Sequence, residues 1–124
     1  VIMNIKENNK AIYMQIADRI MDDVISGTYQ ADCRIPSVRD FAANVEVNSN
    51  TVMRSYEYLS QEEIIYNKRG LGYFISPDAR EKILSMRRDA FYHDELDYFF
   101  GRLVTLGVTE AELAEMYKNY KNHK

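Results

Sequence analysis

The sequence is short of the residues on which covalent cross-links and reactive sites depend. Cys33 is the only cysteine among 124 residues, which excludes an intrachain disulfide and a zinc site made of cysteines alone. No histidine lies near it in the sequence, so we expect a structural or incidental thiol rather than a reactive one. The sequence has no secretory-type apolar segment and no run near the roughly 18 apolar residues of a membrane span. These absences predict a soluble, cytoplasmic protein that has no membrane partner.

Histidine is almost as scarce, because only His93 and His123 occur and they lie far apart. His93 precedes Asp94 and Glu95, a composition that metal sites also use. Adjacent residues of a helix do not face each other, so we favour solvated polar side chains over a metal site. The sequence contains no glycine loop suited to cradling phosphate and no nucleophile with a neighbouring base. We therefore expect neither an enzyme nor a cofactor.

The chain also lacks the positive charge that is usual in proteins that bind nucleic acids. Its formal net charge is -3, although such binding needs only a local basic patch. From Arg34 to Arg54 the chain carries three arginines and two carboxylates, a local balance of +1. Lys68 and Arg69 are needed to extend this weak patch.

Two helices are predicted in the first third of the chain. Apolar residues recur every four positions from Ala11 to Ser26, which predicts an amphipathic helix that ends at Gly27. Arg34-Ile35 should be extended because a proline follows. A second helix is predicted from Val38 to Asn44, with Ser37 opening a capping-box-like start.

Residues 47–59 begin with small polar side chains and continue with helical spacing. Val52, Tyr56 and Leu59 recur at spacings of four and three, so they should share one buried stripe behind an Asn48 N-cap. Short polar side chains and one guanidinium then face outward, where they can meet phosphates and base edges. These residues are Asn48, Ser49, Asn50, Thr51 and Arg54. The tight connection to the preceding helix predicts a helix-turn-helix with a DNA-recognition helix; the alternative is a surface helix with polar capping residues.

A β-hairpin is predicted next, from the β-prone triplets at 64–66 and 73–75. The residues between them form a basic tip that contains Gly70 and Gly72. Beside a helix-turn-helix such a hairpin is called a wing, and its tip can lie against phosphates or in a minor groove. Lys68 and Arg69 either contact DNA there or belong to an ordinary solvated turn.

The fold class predicted is α+β and mainly helical, with a winged helix-turn-helix at 1–76 and a two-helix dimerisation tail at 77–124. One long helix should run from Pro77-Asp78 to Leu106 and stop at Gly107, and a capping box at Thr109 and Glu112 should open a last helix to about Lys121. A helical tail of this length cannot bury its own apolar surface. We therefore expect it to pair with the tail of a second copy. The predicted dimerisation residues are Phe91, Tyr92, Leu96, Phe99, Phe100, Leu103, Leu106, Leu113, Met116, Tyr117 and Tyr120.

Five ordered motifs resemble the winged-helix domain of the GntR family of bacterial transcriptional regulators. They are Ile12-Tyr13-x-Gln15-Ile16, Gly27, Ile35-Pro36-Ser37-x-Arg39, Asn48-x-Asn50-Thr51-Val52 with Tyr56 and Leu59, and Gly70-x-Gly72-x-Phe74. The short helical tail and the Val-Asn-x-Asn-Thr-Val core resemble the YtrA-type subgroup of this family. The likeness covers 11–75 in sequence and the tail in architecture only.

The resemblance implies a homodimeric repressor that binds an inverted-repeat operator in double-stranded DNA. The family's contacting segments match Ser37 and Arg39, then Asn48, Asn50 and Thr51, and its wing glycine matches Gly70 or Gly72. The alternative is a winged helix that serves as a protein-interaction module without specific DNA binding. The effector is unknown, and the aromatic residues of the tail form either the dimer core or a ligand pocket.

This chain departs from the family pattern in three places. Ala11 replaces a usual proline, and Ala31-Asp32 replaces a Pro-Gly pair, so the loop there should be less constrained. Ser49 and Met53 stand where many members carry arginine, so base readout is expected to shift to Arg54.

Overall fold

The computed structural model describes residues 10–124, where the chain forms a helix-turn-helix, a β-hairpin and a helical tail. The first nine residues of the predicted DNA-binding domain lie outside the described part. The elements are α1 (Ile12–Ile25), α2 (Val38–Val45), α3 (Ser49–Gln61), β1 (Ile65–Lys68), β2 (Gly72–Ile75), α4 (Ala79–Asp94), α5 (Leu96–Thr105) and α6 (Glu110–Asn122). The chain separates into two compact units, the first ending at Ser85 and the second beginning at Met86, so the boundary falls inside α4. The mainly helical fold class is confirmed.

The core of the first unit lies between α1, α2, α3 and the hairpin. The predicted stripe of α3 is confirmed, because Val52, Tyr56 and Leu59 are all fully buried. α1 packs on α3 and contributes Ile16 and Ile20, which are equally buried. Burying an apolar side chain of this size contributes about 1.5–3 kcal/mol, so this stripe fixes α3 firmly on α1.

The turn between α2 and α3 is specified by its caps. Ser37 Oγ accepts a hydrogen bond from the Asp40 N–H (3.1 Å) and Asn48 Oδ1 accepts one from the Asn50 N–H (2.7 Å), which confirms both predicted N-caps. α2 runs one residue beyond its predicted end and stops where Glu46 adopts a left-handed conformation with φ 57°. These local interactions hold the two helices in a helix-turn-helix.

The wing is a two-stranded antiparallel hairpin. Ile65 pairs with Ile75 at its base and Lys68 pairs with Gly72 near its tip. Arg34 adds an isolated antiparallel bridge to Phe74, in agreement with the extended conformation predicted before Pro36. The hairpin is therefore widened by the segment that leads into α2.

The loop at Ala31-Asp32 is held by hydrogen bonds. Asp32 has φ 61°, a conformation that glycine adopts without cost. Its N–H donates to the Ile75 carbonyl (2.8 Å), and its Oδ1 accepts from the Tyr66 hydroxyl (2.8 Å). These two bonds constrain the loop, although the absence of the family's Pro-Gly pair predicted a less constrained one.

The prediction of one long helix in the tail is wrong, because the helix is divided at Glu95. There the backbone takes φ -119°, although the Glu95 N–H still donates to the Phe91 carbonyl and the Phe99 N–H to the Glu95 carbonyl (both 3.0 Å). Asp94 and Asp97 carry like charges three positions apart, which disfavours a continuous helix here. Neither proline nor glycine marks the break, and the apolar spacing continues across it. The sequence pattern therefore gave no sign of the break.

The turn between α5 and α6 agrees with its prediction. Gly107 has φ 73°, and the Val108 N–H donates to the Leu103 carbonyl (2.9 Å), as in a Schellman motif. Thr109 and Glu112 form the complete capping box. No residue of α5 or α6 is buried in the described chain.

Candidate nucleic-acid interface

The first turn of α3 is an exposed polar surface. Asn48, Ser49 and Asn50 are exposed and Thr51 is half-buried, while the apolar stripe of the helix faces the core. The N-terminus of a helix carries partial positive charge and free N–H groups, and it therefore attracts anions. The predicted recognition residues thus share one accessible helix end.

A buried tyrosine connects α3 to the segment before α2. The Tyr56 hydroxyl donates a hydrogen bond to the Pro36 carbonyl (2.7 Å). Burial raises the pKa of Tyr56 well above its ordinary value, so the phenol keeps the proton that it donates. The bond fixes the entry to α2, where Ser37 acts as the N-cap and Arg39 is exposed. Within the described chain, no carboxylate forms an ion pair with Arg39.

Arg54 is exposed, but an aromatic ring orients it. Its guanidinium carbon lies 4.0 Å from the centroid of the Tyr13 ring, and the buried Ser55 hydroxyl donates to the Tyr13 carbonyl (2.6 Å). A shallow groove beside this pair is lined by the first turn of α1 and by Asn50 and Thr51. Sequence reasoning missed the orienting role of Tyr13, although its position within the first family-like motif was a signal.

The two wing glycines have different surroundings. Gly70 has φ 80° and nothing lies within 4 Å of the position that a Cβ would take. At Gly72, where φ is 111°, Arg34 Nε lies 3.1 Å from that position. The exposed Lys68 and Arg69 lie beside Gly70 at the tip, and Lys68 Nζ is 5.1 Å from the Phe74 ring centroid. Arg34 was counted above only as a charge and was missed as part of this surface.

The other candidate chemistry is sparse in the described part of the chain. His93 Nδ1 lies 3.0 Å from Asp94 Oδ1 on the surface, so these neighbours do meet, contrary to expectation. Residues 10–124 contain no cluster of three or more side chains suited to a metal ion. Cys33 is half-buried, and its Sγ donates to the Arg34 carbonyl (3.4 Å). No helix within residues 10–124 is both long and apolar enough to span a membrane.

Two helices are joined by a tight turn, the second begins with an exposed polar turn, and a basic hairpin follows. This arrangement defines a winged helix-turn-helix protein of the DNA-binding class. The model of the bacterial regulatory proteins of the gntR family matches residues 12–75. The chain belongs to the GntR family, and it is a transcriptional regulator with a DNA-binding helix-turn-helix.

Relatives extend the likeness into the tail. The chain is 32% identical to YhcF, an uncharacterised HTH-type transcriptional regulator of Bacillus subtilis, over 92% of this chain and 93% of that protein. It is 34% identical to the transcriptional repressor YtrA of the same organism, over 59% of this chain and 56% of YtrA. A crystal structure described as a GntR-family regulator from Bacteroides thetaiotaomicron has a TM-score of 0.80 and 49% identity, covering 91% of this chain and 98% of that one.

Proposed function

We propose that this protein is a cytoplasmic repressor that binds an inverted-repeat DNA operator as a homodimer. The observation that carries the proposal is the hydrogen bond from Tyr56 to the Pro36 carbonyl, because it ties the recognition helix to the Pro36-Ser37-x-Arg39 segment. The bond thereby joins the two predicted contact segments.

The proposed interface has three parts. The start of α2 supplies Ser37 and Arg39, where the guanidinium is free of intramolecular ion pairs in the described chain and can make a bidentate contact. The first turn of α3 enters the major groove and reads base edges. The wing tip follows the backbone or the minor groove. The remaining proposed contacts are Asn48, Ser49, Asn50, Thr51, Arg54, Lys68, Arg69, Gly70 and Gly72.

The tail is proposed to form the dimer interface. Most of its predicted dimerisation residues are exposed, from 42% for Phe91 to 66% for Leu106, and only its three inward leucines are half-buried. Leu96, Leu103 and Leu113 line an apolar groove between α5 and α6. Apolar surface of this extent marks an interaction site, and a second copy presents the same surface in return. We assign the tail aromatics to this interface and propose no effector.

Dimer symmetry determines the form of the operator. Two recognition helices would enter successive major grooves about 34 Å apart, so the half-sites should form an inverted repeat about one helical turn apart. Occupation of a promoter by such a dimer would block transcription. The relative YtrA, which is named a repressor, supports this direction of regulation.

Selection from random duplex DNA tests the proposal. We expect an enriched inverted repeat, for which Arg39→Ala lowers the affinity by about 1–3 kcal/mol in an anisotropy titration. Arg88→Ala is the matched control because Arg88 is exposed in α4 outside the proposed interface. Failure to enrich a palindrome, with affinity no better than for calf-thymus DNA, would instead favour a protein-interaction module, as the net charge of -3 would allow.

A further inference from the structure

Arg34 occupies a specific place on the outer face of the wing. Its backbone bridges Phe74 in antiparallel fashion, and side chains of directly paired residues lie on the same face of a sheet. The exposed guanidinium extends from Phe74 towards Gly72, since Nε, Cζ and Nη2 all lie within 4 Å of the position of a Gly72 Cβ. Gly72 is two residues nearer the hairpin tip than Phe74, so the side chain runs towards the tip.

Gly72 provides the space in which this side chain lies. A Cβ at Gly72 would stand 3.1 Å from Arg34 Nε, closer than most such contacts, so a larger residue would require the guanidinium to shift by a few tenths of an ångström. Gly70, by contrast, has open space at the same position. Both glycines have positive φ, but only Gly72 lies against the Arg34 side chain and so seats it.

Arg34 lies near a second cation and has no carboxylate partner in the described chain. Lys68 pairs with Gly72 in the ladder and its Nζ lies over the ring of Phe74, so a second cation lies on this part of the wing. The acidic Asp32, two residues earlier, accepts a hydrogen bond from Tyr66 instead. In residues 10–124 no carboxylate forms an ion pair with Arg34. An exposed, oriented and uncompensated guanidinium is suited to an anionic partner.

We infer that Arg34 contacts a DNA phosphate and joins the wing tip to the α2 segment in one continuous basic strip. Arg34 precedes Ser37 by three positions and lies beside Gly72, so it connects two parts of the proposed interface that are otherwise separate. A phosphate contact of this kind positions the protein on the duplex and carries no sequence information. The inference rests on the proposed DNA-binding function.

The salt dependence of DNA binding by the full chain tests this role. Each phosphate contact contributes a slope of about -0.9 to a plot of log affinity against log salt concentration. Arg34→Gln should make the slope shallower by about 0.9 per bound copy, on the selected operator and on random duplex alike. Arg34→Lys should restore it because the charge is kept. Arg88→Gln, which removes the same charge from the exposed face of α4, should leave the slope unchanged.

A double substitution tests the role of Gly72. If Gly72 seats Arg34, Gly72→Ala should change the slope by less than Arg34→Gln does, because Arg34 keeps its charge and needs to shift by only a few tenths of an ångström. The combined variant should then lose no more than Arg34→Gln alone. An unchanged slope for Arg34→Gln, with Arg39→Ala still losing operator affinity, would overturn the Arg34 contact and leave the proposed function intact. Losses that add would overturn the seating role of Gly72. A wild-type chain that binds no duplex DNA would overturn both the contact and the proposed function.

Discussion

At the scale of single residues, Tyr56 belongs to the core and also holds the segment before α2. Its ring is buried against Phe41 and Tyr73, with centroids 6.3 Å and 5.0 Å away, and its hydroxyl reaches the Pro36 carbonyl. The sequence identified Tyr56 as a core residue from its spacing. The hydroxyl bond was not predictable, because it joins residues twenty positions apart whose approach depends on how α2 packs on α3.

Tyr56→Phe should therefore destabilise the protein by about 1 kcal/mol, because it removes one hydrogen bond and leaves the Pro36 carbonyl unpaired. Urea unfolding followed by circular dichroism measures the change. Tyr58→Phe is the control, since the hydroxyl of Tyr58 makes no hydrogen bond within the described residues. Equal losses in the two variants would show that the Pro36 bond contributes nothing specific.

Glu46 offers the opposite case, a residue whose conformation costs stability. Its φ of 57° is left-handed, where a side chain is disfavoured and glycine is not. Glu46→Gly should stabilise the protein by about 0.5–1 kcal/mol, while Glu46→Ala, which keeps a Cβ, should bring no such gain. The urea midpoints of the two variants compare them directly, and a stability gain in the alanine variant would refute this account.

At the scale of secondary structure, the elements with capping residues were predicted best. Ser37, Asn48 and Thr109 opened the helices that their side chains indicated, since capping depends only on neighbours in the sequence. The break at Glu95 was missed because no proline, glycine or capping residue marks it in the sequence. Arg34 was missed because its neighbour Gly72 comes from a distant strand.

The capping box of α6 should make the stability of the tail depend on acid pH. Hydrogen bonds from the Thr109 N–H and hydroxyl lower the pKa of Glu112 below its ordinary value of 4.5. The folded state thus favours the carboxylate, so the stabilisation is present above pH 4.5 and is lost as the pH falls through the lowered pKa.

Glu112→Gln isolates this contribution, because glutamine keeps the acceptor oxygen of a capping box and does not titrate. The wild type should lose more thermal stability than the variant between about pH 6 and about pH 3 in melts followed by circular dichroism. Parallel pH profiles for the two proteins would show that the box does not respond to protonation.

At the scale of the whole molecule, the two units differ in how completely they bury their apolar residues. The first unit has a continuous core, whereas no residue of α5 or α6 is buried in the described chain. Both features were predictable from hydrophobic spacing alone. The sequence could not reveal which apolar residues α5 and α6 cover between them, since that depends on where the helix breaks.

Tyr117→Glu should weaken the proposed dimer, because it places a charge within the apolar groove of the tail. We expect a shift towards monomer in analytical ultracentrifugation and a loss of operator affinity, with the first unit still folded. Asn119→Glu is the matched control, two residues along α6 and outside the groove. A variant at Tyr117 that sediments as the wild type does would remove this groove from the interface.

The division of α3 into a buried stripe and an exposed first turn has an evolutionary consequence. Ser49 and Met53 are both exposed, and neither belongs to the stripe that holds the helix in place. Mutations at these two positions should therefore bring little penalty in folding, and if α3 reads DNA as proposed, selection would act on them through target preference. A duplicated copy of this gene could diverge towards new promoters by drift at such sites, while the scaffold beneath them stayed unchanged.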